Sequence, residues 1–273
     1  VAPRFTLLDY RFGREDFFMI STELLKRHLR TLLLALQLLQ KMFRQVSTGP
    51  HRQKEMFAAM ETIGIGSLPI ITIATGFTGL VMTSEIAWHM DFALSNVSMI
   101  PGFTGQFVLR ELGIAVPAML IVSKVGASLT AELASMRITE QLDAFKLLRI
   151  DVISYHIFPR WVACTLSTIC LTVISIAITL LIAMFTAVTR YHFNSIEYMD
   201  TLSQFITSID LLCAITKAAV FGMIIPPIAF AYALRCEGGA QGVGQATTDA
   251  VVSATLAVII LDFVMTAFFS ALL

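Results

Sequence analysis

LSTICLTVISIAITLLIAMFTAV, residues Leu166 to Val188, runs for 23 positions without one charged side chain. Wound as an α-helix it reaches ~34 Å at about 1.5 Å per residue, enough to cross a hydrocarbon layer roughly 30 Å thick. A second uncharged run, Ile63 to Met82, is nearly as long. A soluble chain of this size interrupts its apolar stretches far more often, so the two runs identify an all-α, multi-pass membrane protein.

Composition agrees with that reading. Of 273 residues, 56% are hydrophobic and 14% charged, against about 25% charged in globular proteins; mean hydropathy is +0.79. Formal net charge is +0, which leaves no basic field for nucleic acid, and no nucleic-acid-binding module is present. Cys164, Cys170, Cys213 and Cys236 include no CxxC and no His at metal-ligand spacing. They read as small apolar residues rather than metal or redox groups. The chain starts at Val1, as an N-terminal trim would leave it, and shows no signal-peptide order of basic region, short apolar run and small-residue cleavage site.

Outward from Leu166, the sequence predicts five spans: about Gly64 to Ile86, Thr104 to Leu120, Trp161 to Thr189, Leu211 to Leu234 and Ala250 to Leu272. Pro101-Gly102, Arg190 to Asp200, and EGGAQGVG after Cys236 punctuate them. Ahead of the first lies FFMISTELLKRHLRTLLLALQLLQKMFRQV, residues 17 to 46, apolar at helical spacing but interrupted by Lys26, Arg27, Arg30, Lys41 and Arg44. Its uninterrupted part, Leu32 to Leu36, is too short to span, and a basic amphipathic helix prefers the interface plane. The chain therefore divides into an N-terminal segment, 1–56, and a transmembrane domain, 57–273.

Ten Lys and Arg lie in the segment ending at Lys54, and Lys124, Arg137, Lys146, Arg149 and Arg160 fall between the second and third spans, whereas Glu85 to Gly102 holds none. The positive-inside rule puts the N-terminus, that second basic stretch and EGGAQGVG in the cytoplasm. An odd number of spans puts the C-terminus on the other side.

VSKVGASLTAELASMRITEQLDAFKLLRIDVISYHIFPR, Val122 to Arg160, is a charged helical island between spans. In it Ile138, Leu142, Phe145 and Leu148 recur at helical spacing with Arg137, Glu140, Asp143 and Lys146 interleaved, the pattern of a short amphipathic surface helix. Pattern alone favours a solvated loop helix. The second reading, a handle worked by a partner, gains from the lack of GxxxxGK[ST], HExxH and nucleophile-elbow motifs, since a transporter with no nucleotide site borrows force or runs on an ion gradient.

Ionisable residues inside apolar spans cost several kcal/mol unless paired. Arg110, Glu111, Lys217 and Asp262 are the cases here. Adjacent helical residues point about 100° apart, so Arg110 and Glu111 each need a partner on another helix. Lys217 and Asp262, on neighbouring spans, can pair. An interhelical clamp and a direct transport role are both open. Gly76, Gly79, Gly113 and Gly126 allow close helix approach, and Pro226-Pro227 predicts a bend in the fourth span.

These residues sit in larger blocks. LRELGIAVPAMLIVSKVGASLTAELASMRITEQLDAFKLLRID, then PRWVA, ITKAAVFG, GGAQGVGQATTDAVV and LDFVMTA, in that order, resemble the MlaE permease family of ABC transporters that work with MCE proteins, over about Ile63 to Leu273. The resemblance implies a homodimer of five-span permeases in the bacterial inner membrane, N-terminus cytoplasmic and C-terminus periplasmic. It implies two cytoplasmic ATPase subunits, which hold ATP and Mg, a periplasmic ring of MCE protein, and phospholipid or a related lipid as cargo. The chain itself would then hold no cofactor, metal or catalytic residue. Functional charges are implied at Arg110, Glu111, Lys217 and Asp262, the four that burial singles out. A coupling helix is implied near 137–148, with Arg137, Thr139, Glu140 and Gln141 in its first half and Asp143, Ala144 and Leu147 in its second. An apolar cavity at the dimer interface, open to the periplasm and walled by the first two spans, is expected, with Phe77, Val81, Met82 and Ile86 as lining candidates. The chain departs from the family pattern at Lys124, which replaces the arginine of AGRxG and so loses a bidentate contact, and at Val152, which replaces the proline after Asp151. The rival reading is an ion-coupled secondary transporter relaying through Glu111, Lys217 and Asp262, a reading that expects internal repeats the sequence lacks.

Overall fold

The computed structural model describes residues 14–48, 53–94 and 97–272, with no strand among them. Of the N-terminal basic segment, residues 1–13 and 49–52 lie outside the described residues. Five rods are long and apolar enough to cross a membrane: Gln53–Met90, Ile100–Ile138, Ile153–Tyr191, Ser208–Leu234 and Gly239–Ala271. The protein is an all-α, multi-pass membrane protein with one further helix, α1 (Arg14–Thr48), ahead of the spans.

The first rod joins α2 (Gln53–Ile63) to α3 (Leu68–Leu94) through a 3-10 turn at Ile65–Ser67. The second joins α4 (Ile100–Phe107), α5 (Gly113–Ile121) and α6 (Ala127–Ile138) through π turns at Val108–Leu112 and Val122–Gly126. A short helix, α7 (Gln141–Leu147), leads to a π turn at Ile153–Ile157 and the third rod's main helix, α8 (Phe158–Tyr191). Then come α9 (Ser195–Phe205), α10 (Ser208–Leu234) and α11 (Gly239–Leu272).

The rods outrun the apolar stretches that announce them. Hydropathy marks only the part of a helix that must meet hydrocarbon, and polar residues extend it beyond without a break. Hence the first half of the charged island, Val122–Ile138, is no island but the continuation of the second rod, with Val122, Leu129 and Leu133 buried. EGGAQGVG is likewise mostly helix: only Gly238 and Gly239, at φ 90° and 68°, make the turn, and α11 is already under way. Within Arg190 to Asp200, read as a break, lies the start of α9, whose Tyr198 and Leu202 bury four residues apart against Ile86, Ile100 and Phe193.

α8 is the central element, packed on α3, α5 and α10. Two glycines set its closest approaches. A Cβ on Gly79 would stand 2.5 Å from the Thr179 carbonyl oxygen, and one on Gly222 would stand 2.8 Å from the Thr165 Cα. Side chains here must satisfy polar backbone groups, for hydrocarbon satisfies none.

Prolines show how α8 repairs its neighbours. Pro117 in α5 lacks the N–H that would bond Gly113 four residues back, and the Ser175 hydroxyl donates to that carbonyl at 3.1 Å. Pro227 in α10 leaves the Met223 carbonyl in the same position, and the Trp161 indole N–H donates to it at 2.9 Å. α10 continues through Pro226-Pro227 as one element.

α1 buries Thr31, Ala35, Leu38 and Met42, one stripe at helical spacing, while Leu29, Leu33, Leu36 and Phe43 stay exposed. The stripe lies chiefly on α10. His28 Nδ1 and the Tyr232 hydroxyl are 2.6 Å apart, and Arg235 donates to the Thr31 hydroxyl at 2.9 Å. Cys164, Cys213 and Cys236 are buried and Cys170 is exposed; all four are free thiols.

Candidate functional site

Four of the sequence-selected charges meet within the membrane-spanning bundle, at the end away from α7. Lys217, on α10, is fully buried and donates to the Arg110 carbonyl at 2.7 Å, Asp262 Oδ1 at 2.8 Å and the Thr266 hydroxyl at 2.7 Å. An ammonium has three hydrogens, and all are committed. The Thr266 hydroxyl donates to Glu111 Oε1 at 2.8 Å, and that oxygen lies 3.6 Å from Lys217 Nζ. One cation thus ties the second rod, α10 and α11 together.

The π turn at Val108–Leu112 explains how the second rod joins in. A π turn disturbs the regular i to i−4 ladder, and it is a carbonyl of this turn, that of Arg110, that takes the Lys217 ammonium. The extra residue also lets Arg110 and Glu111 serve separate partners. Glu111 turns to α11, while Arg110 Nε donates to Asp210 Oδ1 at 2.8 Å at the start of α10. Asp210 is buried, and its other oxygen accepts from the Thr207 amide at 3.0 Å and the Thr207 hydroxyl at 2.7 Å, closing a capping box.

Asp210 and Thr266 are members of this network that the sequence reading missed. Thr207-x-x-Asp210 is a legible helix-start signal. Its carboxylate does two jobs, capping α10 and neutralising Arg110, and only the first can be read from spacing. Thr266 carried a signal only as the residue one turn beyond Asp262, on the same face of α11.

The second group of selected residues lies at the opposite, basic end, and the helix is shorter than expected. Arg137 and Ile138 close α6, Thr139 and Glu140 form the turn, and α7 is Gln141–Leu147, so Leu148 falls beyond its end. Glu140 and Arg149 flank it in left-handed conformation, at φ 58° and 56°. Such backbone costs a non-glycine residue roughly 1–2 kcal/mol, and it turns the chain sharply on both sides of α7. Leu142 anchors the helix, whereas Gln141, Asp143 and Ala144 are exposed and Leu147 is 87% exposed. Lys146 donates to Asp143 at 2.7 Å, a bond that holds the Asp143 carboxyl below the usual carboxylate range.

Both departures from the family pattern have local replacements. Asp151, with no proline after it, accepts from the Ile153 amide at 3.2 Å, the Ser154 amide at 3.3 Å and the Ser154 hydroxyl at 2.6 Å, so side-chain capping holds the turn. Lys124 donates to the Gly66 carbonyl at the 3-10 turn between α2 and α3.

The four lining candidates divide. Phe77 is 67% exposed and Val81 51%, both facing out from α3, and Met82 is half-buried. Ile86 turns inward into the cluster with Phe193 and Tyr198, so within one chain it belongs to the core and not to an open wall. A residue nine positions from Phe77 advances about 900° around a helix, half a turn off that face.

Residues 56–268 match the family model described as Permease MlaE. A probable ABC transporter permease protein of Rickettsia conorii is 34% identical over 209 residues, which covers 76% of this chain and 80% of its own. One from Synechocystis is 32% identical over 223 residues, 82% of this chain and 84% of its own. One from Pyropia yezoensis is 34% identical over 206 residues, covering 76% and 78%.

Proposed function

The chain belongs to the MlaE permease family of ABC transporters, and from that premise we propose that it moves phospholipid, or a related lipid, between the inner membrane and a periplasmic MCE protein. It does so as a homodimer, with its N-terminus in the cytoplasm and its C-terminus in the periplasm. ATP and Mg belong to a separate ATPase subunit. The observation that carries this reading is α7: a helix of about two turns, offset by left-handed residues at both ends, that leaves Leu147 and Leu148 exposed beside Asp143 and Lys146. A surface of that kind receives a push from a partner.

The buried network supplies the other half of the mechanism. Arg110, Glu111, Lys217 and Asp262 act as a clamp that makes the second rod, α10 and α11 move as one body, so that displacement of α7 reaches the far end of the bundle. An apolar passage suits acyl chains, and the outward side chains of Phe77 and Val81 support a wall on α3. The ion-coupled alternative fits less well, because the sequence shows none of the internal repeats on which such transporters are built.

The test is ATP-driven transfer of labelled phospholipid by the assembled complex in vesicles. Glu140→Lys with Asp143→Lys should leave the complex assembled and uncouple ATP hydrolysis from transfer. Unchanged coupling would remove α7 from the contact, and transfer driven by an ion gradient without the ATPase would overturn the reading itself.

A further inference from the structure

At the basic end, a cavity of about 370 Å³ opens between α2, α6 and the start of α8, and nothing described so far uses it. Its volume lies within the range of small-molecule sites. Glu55 lines it from α2, Lys124 and Glu132 from the second rod, and His156 and Arg160 from the third. Two of the three π turns border it, and each supplies a side chain: Val122–Gly126 carries Lys124 and Ile153–Ile157 carries His156. Such turns give up regular helix bonds and concentrate at functional sites.

The charges are arranged but not exhausted. Arg160 pairs with Glu132 and sets its Nη1 2.6 Å from His156 Nδ1, and Lys124 bonds the Gly66 carbonyl. A guanidinium has five donors and an ammonium three, so both keep hydrogens for a ligand. Lys124 and Arg160 are balanced by Glu55 and Glu132, while Ala58, Ala59 and other apolar side chains form the rest of the wall.

Depth narrows the ligand. Arg160 lies in the first turn of α8 and Arg190, 30 residues on, is about 45 Å along the same helix, roughly the thickness of a bilayer with its headgroup layers, so the two arginines stand at opposite headgroup levels. We propose that the cavity binds the headgroup of a zwitterionic phospholipid from the leaflet at the basic end, with phosphate on Lys124 and Arg160, ammonium toward Glu55 and Glu132, and acyl chains left in the bilayer. A purely anionic headgroup would be repelled by the two carboxylates that share the cavity with the cations. The assignment takes from the proposed function only the orientation that makes this leaflet cytoplasmic.

Native mass spectrometry of the full chain, released from anionic phosphatidylglycerol nanodiscs doped with phosphatidylethanolamine, tests it. The wild type and Lys124→Arg should retain phosphatidylethanolamine preferentially. Lys124→Glu, which reverses the phosphate contact, and Ser128→Trp, which fills the cavity from an exposed position, should each lower retention roughly tenfold, about 1.4 kcal/mol. Equal retention in both variants and wild type overturns the proposal, as does equal retention of phosphatidylglycerol. Binding of soluble glycerophosphoethanolamine with no phosphatidylethanolamine retained also overturns it, in favour of a free phosphate ester. Protection of the thiol introduced by Ser128→Cys, with no retained lipid, does so in favour of a protein partner. Transport is not read, so a failed transfer assay and a failed binding assay remain separate results.

Discussion

Lys217 and Lys146 carry the same charge to opposite ends of the molecule, and their surroundings differ in every respect. Lys217 is fully buried with three oxygen partners between 2.7 and 2.8 Å on two other rods. Lys146 bonds only its own helix neighbour Asp143, and both are largely exposed. Hydrocarbon forces a charge to find every partner within the protein, whereas water accepts it unpaired. The buried group is therefore committed to holding the fold. The surface group is available for a contact outside it.

Breaking the buried side should show the largest effect. Lys217→Met strands Asp262 and should cost about 3–5 kcal/mol, read as a large drop in melting temperature in detergent, with part regained when Asp262→Leu is added. A melting point equal to wild type would erase the distinction between the two regions. Trp161→Phe tests the same rule on a neutral group. It orphans the Met223 carbonyl that Pro227 cannot serve, for an expected loss of about 1–3 kcal/mol by the same measurement. Thr207→Ala opens the α10 capping box and loosens the carboxylate facing Arg110; about 0.5–2 kcal/mol is expected. Smallest in stability, Glu140→Lys with Asp143→Lys should shift melting by less than roughly 0.5 kcal/mol while removing ATPase-to-transfer coupling. A variant pair that destabilised as much as Lys217→Met would show α7 to be part of the core.

Much of this contrast is legible before any coordinates. The same four charges stand out by their apolar context, and a short amphipathic pattern stands out between the second and third rods. What is not legible is the partner set. Asp210 looks like a helix-start residue and Thr266 like filler in an apolar run, and each enters the network only because α10 and α11 pack beside the second rod. Ile86 is packed inside the chain for a related reason: α9, read as part of a break, folds back and covers it. Amphipathic spacing in SIEYMDTLSQF was present but short, and short patterns do not separate from loops.

Taken alone, the order of amino acids determined that this chain lives in a membrane, how many times it crosses, which charges are out of place and to which family it is akin. The first three depend on local hydropathy and composition, which act on each segment without reference to the others, and the kinship rests on blocks of residues in a fixed order. Only the tertiary structure decided that Lys217 unites three rods, that Ser175 and Trp161 serve carbonyls freed by prolines on other helices, and that Lys124, Glu132 and Arg160 share a cavity. A hydrogen bond needs its two atoms within about 3 Å, and residues 45 to 62 positions apart reach that distance only once the helices have packed.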